Sequence, residues 1–147
     1  MNLFNSGVVA LLAGVAVYFG IQAMRAKAQK KAQARADRLA RKLRDRRDNM
    51  GGRIYNALDK AARENPAGAC VVRRFEENGR LCVSIDQRKE NGRYSCVLRV
   101  ELELDAIVGF QITARAYSWE YYWGPEEYIV REVIPRLVKL MRTFGVK

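Results

Sequence analysis

The longest uniform stretch of apolar positions comes first. From Leu3 to Met24 the only polar side chains are Asn5, Ser6, Tyr18 and Gln22. As a helix these residues would reach about 33 Å, enough to cross a hydrocarbon core of ~30 Å, so the pattern predicts one transmembrane helix. Within it Ser6, Ala10 and Gly14 fall four apart, a small-residue seam of the kind that lets two membrane helices approach; the alternative is the ordinary abundance of Gly and Ala in such helices. Basic residues follow the apolar run rather than precede it, so a retained anchor is expected and not a cleaved signal peptide.

The pattern then turns polar but stays helical. Ala26 to Met50 is mostly Ala, Lys, Arg, Gln and Leu, with neither Gly nor Pro before Gly51-Gly52. Ala28, Ala32, Ala36, Leu39, Leu43, Met50, Ile54, Ala57 and Ala61 follow steps of three and four, interrupted where Arg46 would fall. This narrow seam supports self-pairing only weakly, because a coiled coil needs larger residues at most seam positions. The reading is an anchor over 1–24, a basic helical stalk ending in a Gly-Gly hinge over 25–52, and a folded domain over 53–147.

In the domain, a short helix over 53–64 is expected to stop at Asn65-Pro66, after which the apolar period changes from helical to two. "ENGR" occurs at 77–80 and again at 90–93, each time between runs of β-formers, and Asn-Gly in that position is a strong hairpin signal. Four strands are predicted, about 69–76, 80–87, 93–104 and 108–119. Tyr94, Cys96, Leu98, Val100, Leu102 and Leu104 alternate onto one face, with Val97 the exception. A two-residue turn at Asn91-Gly92 sets Ile85 opposite Leu98 and Val83 opposite Val100. For the first hairpin a three-residue Glu77-Asn78-Gly79 loop is preferred, because a two-residue turn would set Arg74 opposite Val83. An odd loop at Asp105-Ala106-Ile107 points Val108, Phe110, Ile112, Ala114 and Ala116 at the core. A helix over 125–144 follows, with Pro125 and two Glu in its first turn, an apolar stripe of Val130, Val133, Ile134, Leu137, Val138, Met141 and Phe144, and a bend at Pro135. The expected fold class is α+β: a four-stranded antiparallel meander covered by the C-terminal amphipathic helix.

Charge adds orientation and partners. Of the net +11, residues 25–53 carry +9, from 12 basic and 3 acidic side chains, while the rest of the domain carries +2. Basic residues flanking a membrane helix stay cytoplasmic, which places the N-terminus outside and the domain inside, or in the interior of a membrane-containing particle. Arg25, Lys27, Lys30 and Lys31 are expected on anionic headgroups. Arg35, Arg38, Arg41, Lys42, Arg44, Arg46 and Arg47 lie beyond the reach of the lipid field if the helix stands upright. They suit non-specific phosphate contacts along a nucleic acid, or serve as a solvated spacer.

Candidate chemistry is sparse. There is no His, which removes the commonest general base and metal ligand together. Cys70, Cys82 and Cys96 fit no metal spacing and are odd in number, which suits a reducing compartment; Cys96 reads as core and Cys82 as facing the polar side. Gly51-Gly52 lacks the residues of a phosphate loop, and Glu101 and Glu103 read as solvated beside Arg99 rather than as an acid pair. No catalytic, cofactor or metal site is expected.

The unusual stretch is "YSWEYYWG". If the fourth strand runs through it, Tyr117, Trp119, Tyr121 and Trp123 share the face opposite the core, with Arg115 beside them, as a protein-contact surface or a base-stacking one. If the strand ends near Ser118, the rings instead tuck under the last helix. The function expected is a single-pass membrane-anchored structural or adaptor protein that holds a protein or nucleic-acid partner, or a second copy of itself. The alternatives are a tethered carrier of an apolar ligand between sheet and helix, and a membrane-bound enzyme.

Overall fold

The computed structural model describes residues 2–64 and 70–144, with side chains over 5–64 and 70–143. The helix stop at Asn65-Pro66 and the side chains of Leu3 and Phe144 lie outside the described residues. In chain order the elements are α1 (Asn2–Arg63), β1 (Cys70–Glu77), β2 (Arg80–Arg88), β3 (Tyr94–Asp105), β4 (Gly109–Arg115), β5 (Trp119–Gly124), α2 (Glu126–Tyr128), a π-helical turn (Ile129–Val133) and α3 (Ile134–Phe144). Two compact units divide the chain, Met1–Arg41 and Lys42–Lys147, and α1 contributes to both.

In the first unit every described side chain is exposed, including Leu11, Phe19 and Met24 at 65–73 %. The helix is long and apolar enough there to cross a membrane.

The second unit is α+β: an antiparallel meander, β1-β2-β3-β4-β5, packed on one face by the end of α1 and by the C-terminal helical segment. It has five strands rather than four. The chain bends over Ala116–Ser118, where the Ala116 N–H donates to the Ser118 carbonyl at 3.2 Å, and β5 returns along β4 with Arg115 opposite Trp119 and Gln111 opposite Trp123. The core joins Met50, Ile54 and Leu58 of α1 to Val83, Ile85, Leu98, Val100, Leu102, Phe110 and Ile112 of the sheet and to Ile129, Val133, Leu137 and Met141, all at most 2 % exposed.

Several local expectations are corrected by this packing. Gly51-Gly52 is not a hinge, because α1 runs through it unbroken. A Cβ on Gly51 would lie 2.0 Å from Leu81 Cδ2, so this glycine exists to let β2 approach the helix. The first hairpin turns on two residues, Asn78 and Gly79, both with positive φ, as a primed turn requires. That register puts Arg74 opposite Val83 after all, and Arg74 reaches past the sheet to donate to the Asp48 carbonyl at 3.0 Å.

In the second hairpin the pairs Ile85–Leu98 and Val83–Val100 are as expected, but Asp86 then pairs with Cys96. Val97 is the extra residue of a β-bulge, which turns Tyr94 and Cys96 away from the core; both are exposed. Between β3 and β4 the loop is Ala106 to Val108, because the Asp105 carboxylate accepts from the Ile107 and Val108 N–H groups at 2.7 and 2.9 Å. Val108 is thus half exposed at the loop, while Phe110, Ile112 and Ala114 face inward.

The buried stripe of the last helical segment is Ile129, Val133, Leu137 and Met141; Val130, Ile134 and Val138 are only half-buried. Its first turns widen because Pro135 has no N–H and its ring crowds the preceding turn. The Ile134 N–H bonds to the Ile129 carbonyl, five residues back, and the irregularity at Pro135 is this π turn.

Candidate contact surface

The helices cover one face of the sheet and leave the other open. Its side chains lie in rows, since residues opposite one another in antiparallel strands share a face. One row runs Arg73, Ser84, Arg99, Arg115, Trp119; the next runs Phe75, Cys82, Glu101, Thr113, Tyr121; a third ends in Glu103, Gln111, Trp123.

The middle of this face is an arginine and carboxylate lattice. Arg80 donates to Glu103 at 2.7 Å and to Glu101 at 3.2 Å. Arg99 donates to Glu101 at 3.1 Å and to Glu77, lies 5.5 Å over the Phe75 ring, and reaches Cys82 Sγ at 3.7 Å. Glu101 and Glu103 are thus held by cations on a half-exposed face, where solvent screening leaves each pair little to contribute to stability. Burial raises the thiol pKa at Cys82, which these side chains cover, and at half-buried Cys70; at the exposed Cys96 partial desolvation and the nearby Asp86 carboxylate raise it. A raised pKa keeps a thiol protonated and less nucleophilic. Among the described residues no group of His, Cys, Asp and Glu is arranged to hold a metal ion.

The β5 end of the open face is aromatic. Trp119, Tyr121 and Trp123 are 53, 63 and 66 % exposed, and Tyr117, at the bend before β5, is 79 % exposed. The rings of Trp119 and Tyr121 stack 6.4 Å apart and 10° from parallel, and the Arg115 guanidinium lies 5.1 Å from the Trp119 centroid. A groove of about 470 Å³ runs beside Tyr121 and Trp123 and is bounded by Val108, Gln111, Thr113, Arg80 and Glu103. Ile107, at the loop tip next to Val108, is 95 % exposed. Exposed large apolar groups gathered at one end of a sheet are the composition of an interaction surface. Ile107 and Val108 were missed by the sequence pattern; the available signal was Asp105, whose capping of the two following N–H groups fixes a turn there.

On its helix-facing side, β5 borders a second groove of about 460 Å³ lined by Glu120, Tyr122, Arg136, Lys139, Leu140 and Thr143. The Tyr122 hydroxyl donates to Glu120, and Arg136 lies 6.0 Å over the Tyr122 ring. Burial first, and the Glu120 bond second, push the Tyr122 pKa up to about 12.

The basic residues of α1 divide differently from their sequence order. Arg25, Lys27, Lys30, Lys31, Arg35, Arg38 and Arg41 are exposed in the first unit, and Lys42 and Arg44 are exposed in the second. Arg46 stacks 5.8 Å over Phe110. Arg47 donates to the Gly79 carbonyl at 3.0 Å, bridges Asp48 and Glu76 at 3.1 and 3.4 Å, and its side chain is only 11 % exposed. Arg47 belongs to the packing of the domain, whereas Arg46 keeps an exposed side chain beside Phe110.

Compared with protein-family models, with curated proteins and with solved structures, the chain matches none.

Proposed function

We propose that this chain is a single-pass membrane-anchored adaptor whose α+β domain holds a protein partner through the aromatic end of its open sheet face. The observation that carries the reading is the row Trp119, Tyr121 and Trp123, more than half exposed although each ring has a folded domain beneath it in which to hide. Rigid amphipathic rings pay little conformational entropy on binding and are the side chains that dominate protein contacts.

The anchor is argued from the helix that is long and apolar enough to span a bilayer. Orientation rests on the basic cluster that follows it, which favours a cytoplasmic or particle-interior domain, with Arg25, Lys27, Lys30 and Lys31 on anionic headgroups. The carrier alternative needs room between sheet and helices, and that layer is occupied by Met50, Ile54, Leu58, Phe110 and Leu137 at 0–1 % exposure. The enzyme alternative would draw on Glu101, Glu103 or the thiols, and those carboxylates are engaged by arginines.

The test is affinity capture from solubilised membranes with the intact chain and with the Trp119→Ser, Trp123→Ser double variant. The expected result is a protein retained by the first and lost by the second, with the double variant still in the membrane fraction and folded. Equal capture by both, or recovery of the intact chain in the soluble fraction, would overturn the reading.

A further inference from the structure

β5 forms a free edge of the sheet. The sheet ends there, so alternate backbone N–H and C=O groups of Trp119–Gly124 point away from β4, and no sixth strand meets them among the described residues. Edge strands are usually guarded by Pro, Lys, a bulge or a cover. Between Trp119 and Gly124 there is one charge, Glu120, and neither Pro nor Lys, and on the helix side the edge opens into the groove of Arg136, Lys139 and Leu140.

We infer that this edge pairs with the β5 of a second copy of the chain, antiparallel about a two-fold axis at Tyr121, joining two five-stranded sheets into one of ten. The inference rests on the reading of the aromatic row as a protein-contact surface and names its occupant. The occupant is argued from complementarity, because the strand that best fits this edge is β5 itself. In an antiparallel pair directly opposite residues share a face, so only registers matching open-face residues with open-face residues keep both sheets the same way up.

Three such registers are central. Those that set Glu120 opposite its own copy, or Tyr122 opposite its own, either juxtapose like charges or leave part of the aromatic row unmatched. Setting Tyr121 opposite Tyr121 pairs each Trp119 with the partner strand's Trp123, a ladder of six rings on the open face. On the helix side the same register sets Glu120 opposite Tyr122 of the other copy, under the Arg136 that lies 6.0 Å from that ring. The carboxylate of each chain thereby meets a cation of the other, twice by symmetry. The groove of about 460 Å³ supplies the space for these side chains. Cross-strand aromatic and opposite-charge pairs are the units that stabilise such a junction.

The register makes a sharp test on the full-length protein in mild detergent, with Cys70→Ser and Cys96→Ser and with Cys82 kept because it is buried. Directly opposite Cα atoms lie about 4.5 to 5.5 Å apart, inside the disulfide range of about 4.4 to 6.8 Å. Tyr121→Cys should therefore give a covalent dimer under mild oxidation. Trp119→Cys alone should not, since its two copies would be about 14 Å apart. A mixture of Trp119→Cys and Trp123→Cys proteins should cross-link, and either protein alone should not, because only the mixed pair brings the two cysteines within disulfide range. Native mass should show a dimer before oxidation. A monomer overturns the inference, as does a dimer that cross-links at none of these positions, which would point to the membrane helices, or one that cross-links through Trp119→Cys alone, which would mean another register. A monomer that still loses a foreign protein on Trp119→Ser, Trp123→Ser substitution would sink the self-pairing and leave the adaptor reading standing.

Discussion

Gly51 and Gly52 are adjacent in α1 and should respond to the same substitution in opposite ways. A Cβ at Gly51 would press into Leu81 at 2.0 Å, whereas one at Gly52 would meet only the Arg74 guanidinium, at 3.5 Å. Gly51→Ala should therefore destabilise the domain by about 1–3 kcal/mol through overpacking. Gly52→Ala should be neutral or stabilise by up to about 1 kcal/mol, the helix propensity of Ala over Gly. Thermal melts followed by circular dichroism check both, and a stabilising Gly51→Ala would contradict the close approach of Leu81.

At Tyr122 the linkage has a definite sign. The unfolded phenol loses its proton near pH 10 and the folded one near 12. Between those values the native state binds more protons than the unfolded state, so the stability this residue contributes is present below pH 10 and is lost as pH rises to 12. An absorbance titration of tyrosinate should show a component near pH 12 that Tyr122→Phe removes. Its persistence in the variant would mean that another tyrosine carries it and would contradict the raised pKa of Tyr122.

The two halves of the hairpin-and-helix end of the domain carry opposite roles, and substitutions should separate them. Ile129→Ala or Leu137→Ala removes a side chain with 0 % exposure and should cost about 2–5 kcal/mol. Trp119→Ser with Trp123→Ser removes larger rings yet should leave the midpoint of chemical unfolding nearly unchanged. A large loss of stability in the double variant would place those rings in the core.

How far such elements were legible depends on what encodes them. The meander, its alternation and the pairs Ile85–Leu98 and Val83–Val100 follow from period-two patterning, which a one-residue slip would invert. The bulge at Val97 left a trace as the one apolar residue out of phase, but the trace alone could not tell that it compensates a longer turn at Glu90 to Gly92. The bend at Ala116–Ser118 has no Gly, Pro or Asn to mark it, so two strands looked like one. The role of Gly51 is set by Leu81, thirty positions away, and local pattern carries no information about such a contact. The aromatic row was legible as a composition; the groove beside it, built with Val108 of the β3–β4 loop and Arg80 of β2, was not.

For the whole molecule, the basic helix should act as two sets of groups. Arg25 to Lys31 adjoin the apolar segment and should hold anionic liposomes. Arg35, Arg38, Arg41, Lys42 and Arg44 are exposed cations available to a more distant polyanion. In a fragment beginning at Arg25, changing those five to Gln should abolish any duplex DNA binding, whose log–log salt slope would be about 0.9 per phosphate contact, and spare liposome binding. Unchanged binding to both would make the distal set a solvated spacer. Arg47→Gln should act elsewhere, lowering domain stability by about 1–3 kcal/mol, because its charged hydrogen bond to the Gly79 carbonyl is part of the fold.

The proposed contact of β5 with protein can be read in place, with the chain in the membrane fraction. The direct measurement is photo-cross-linking in intact membranes, with a benzophenone amino acid at Tyr121 and, as a control, at Val71 on the opposite edge strand. A discrete protein adduct is expected from position 121, either a second copy or a foreign chain, and none from position 71. Adducts to lipid alone from position 121, or the same protein adducts from both edges, would contradict the proposed contact.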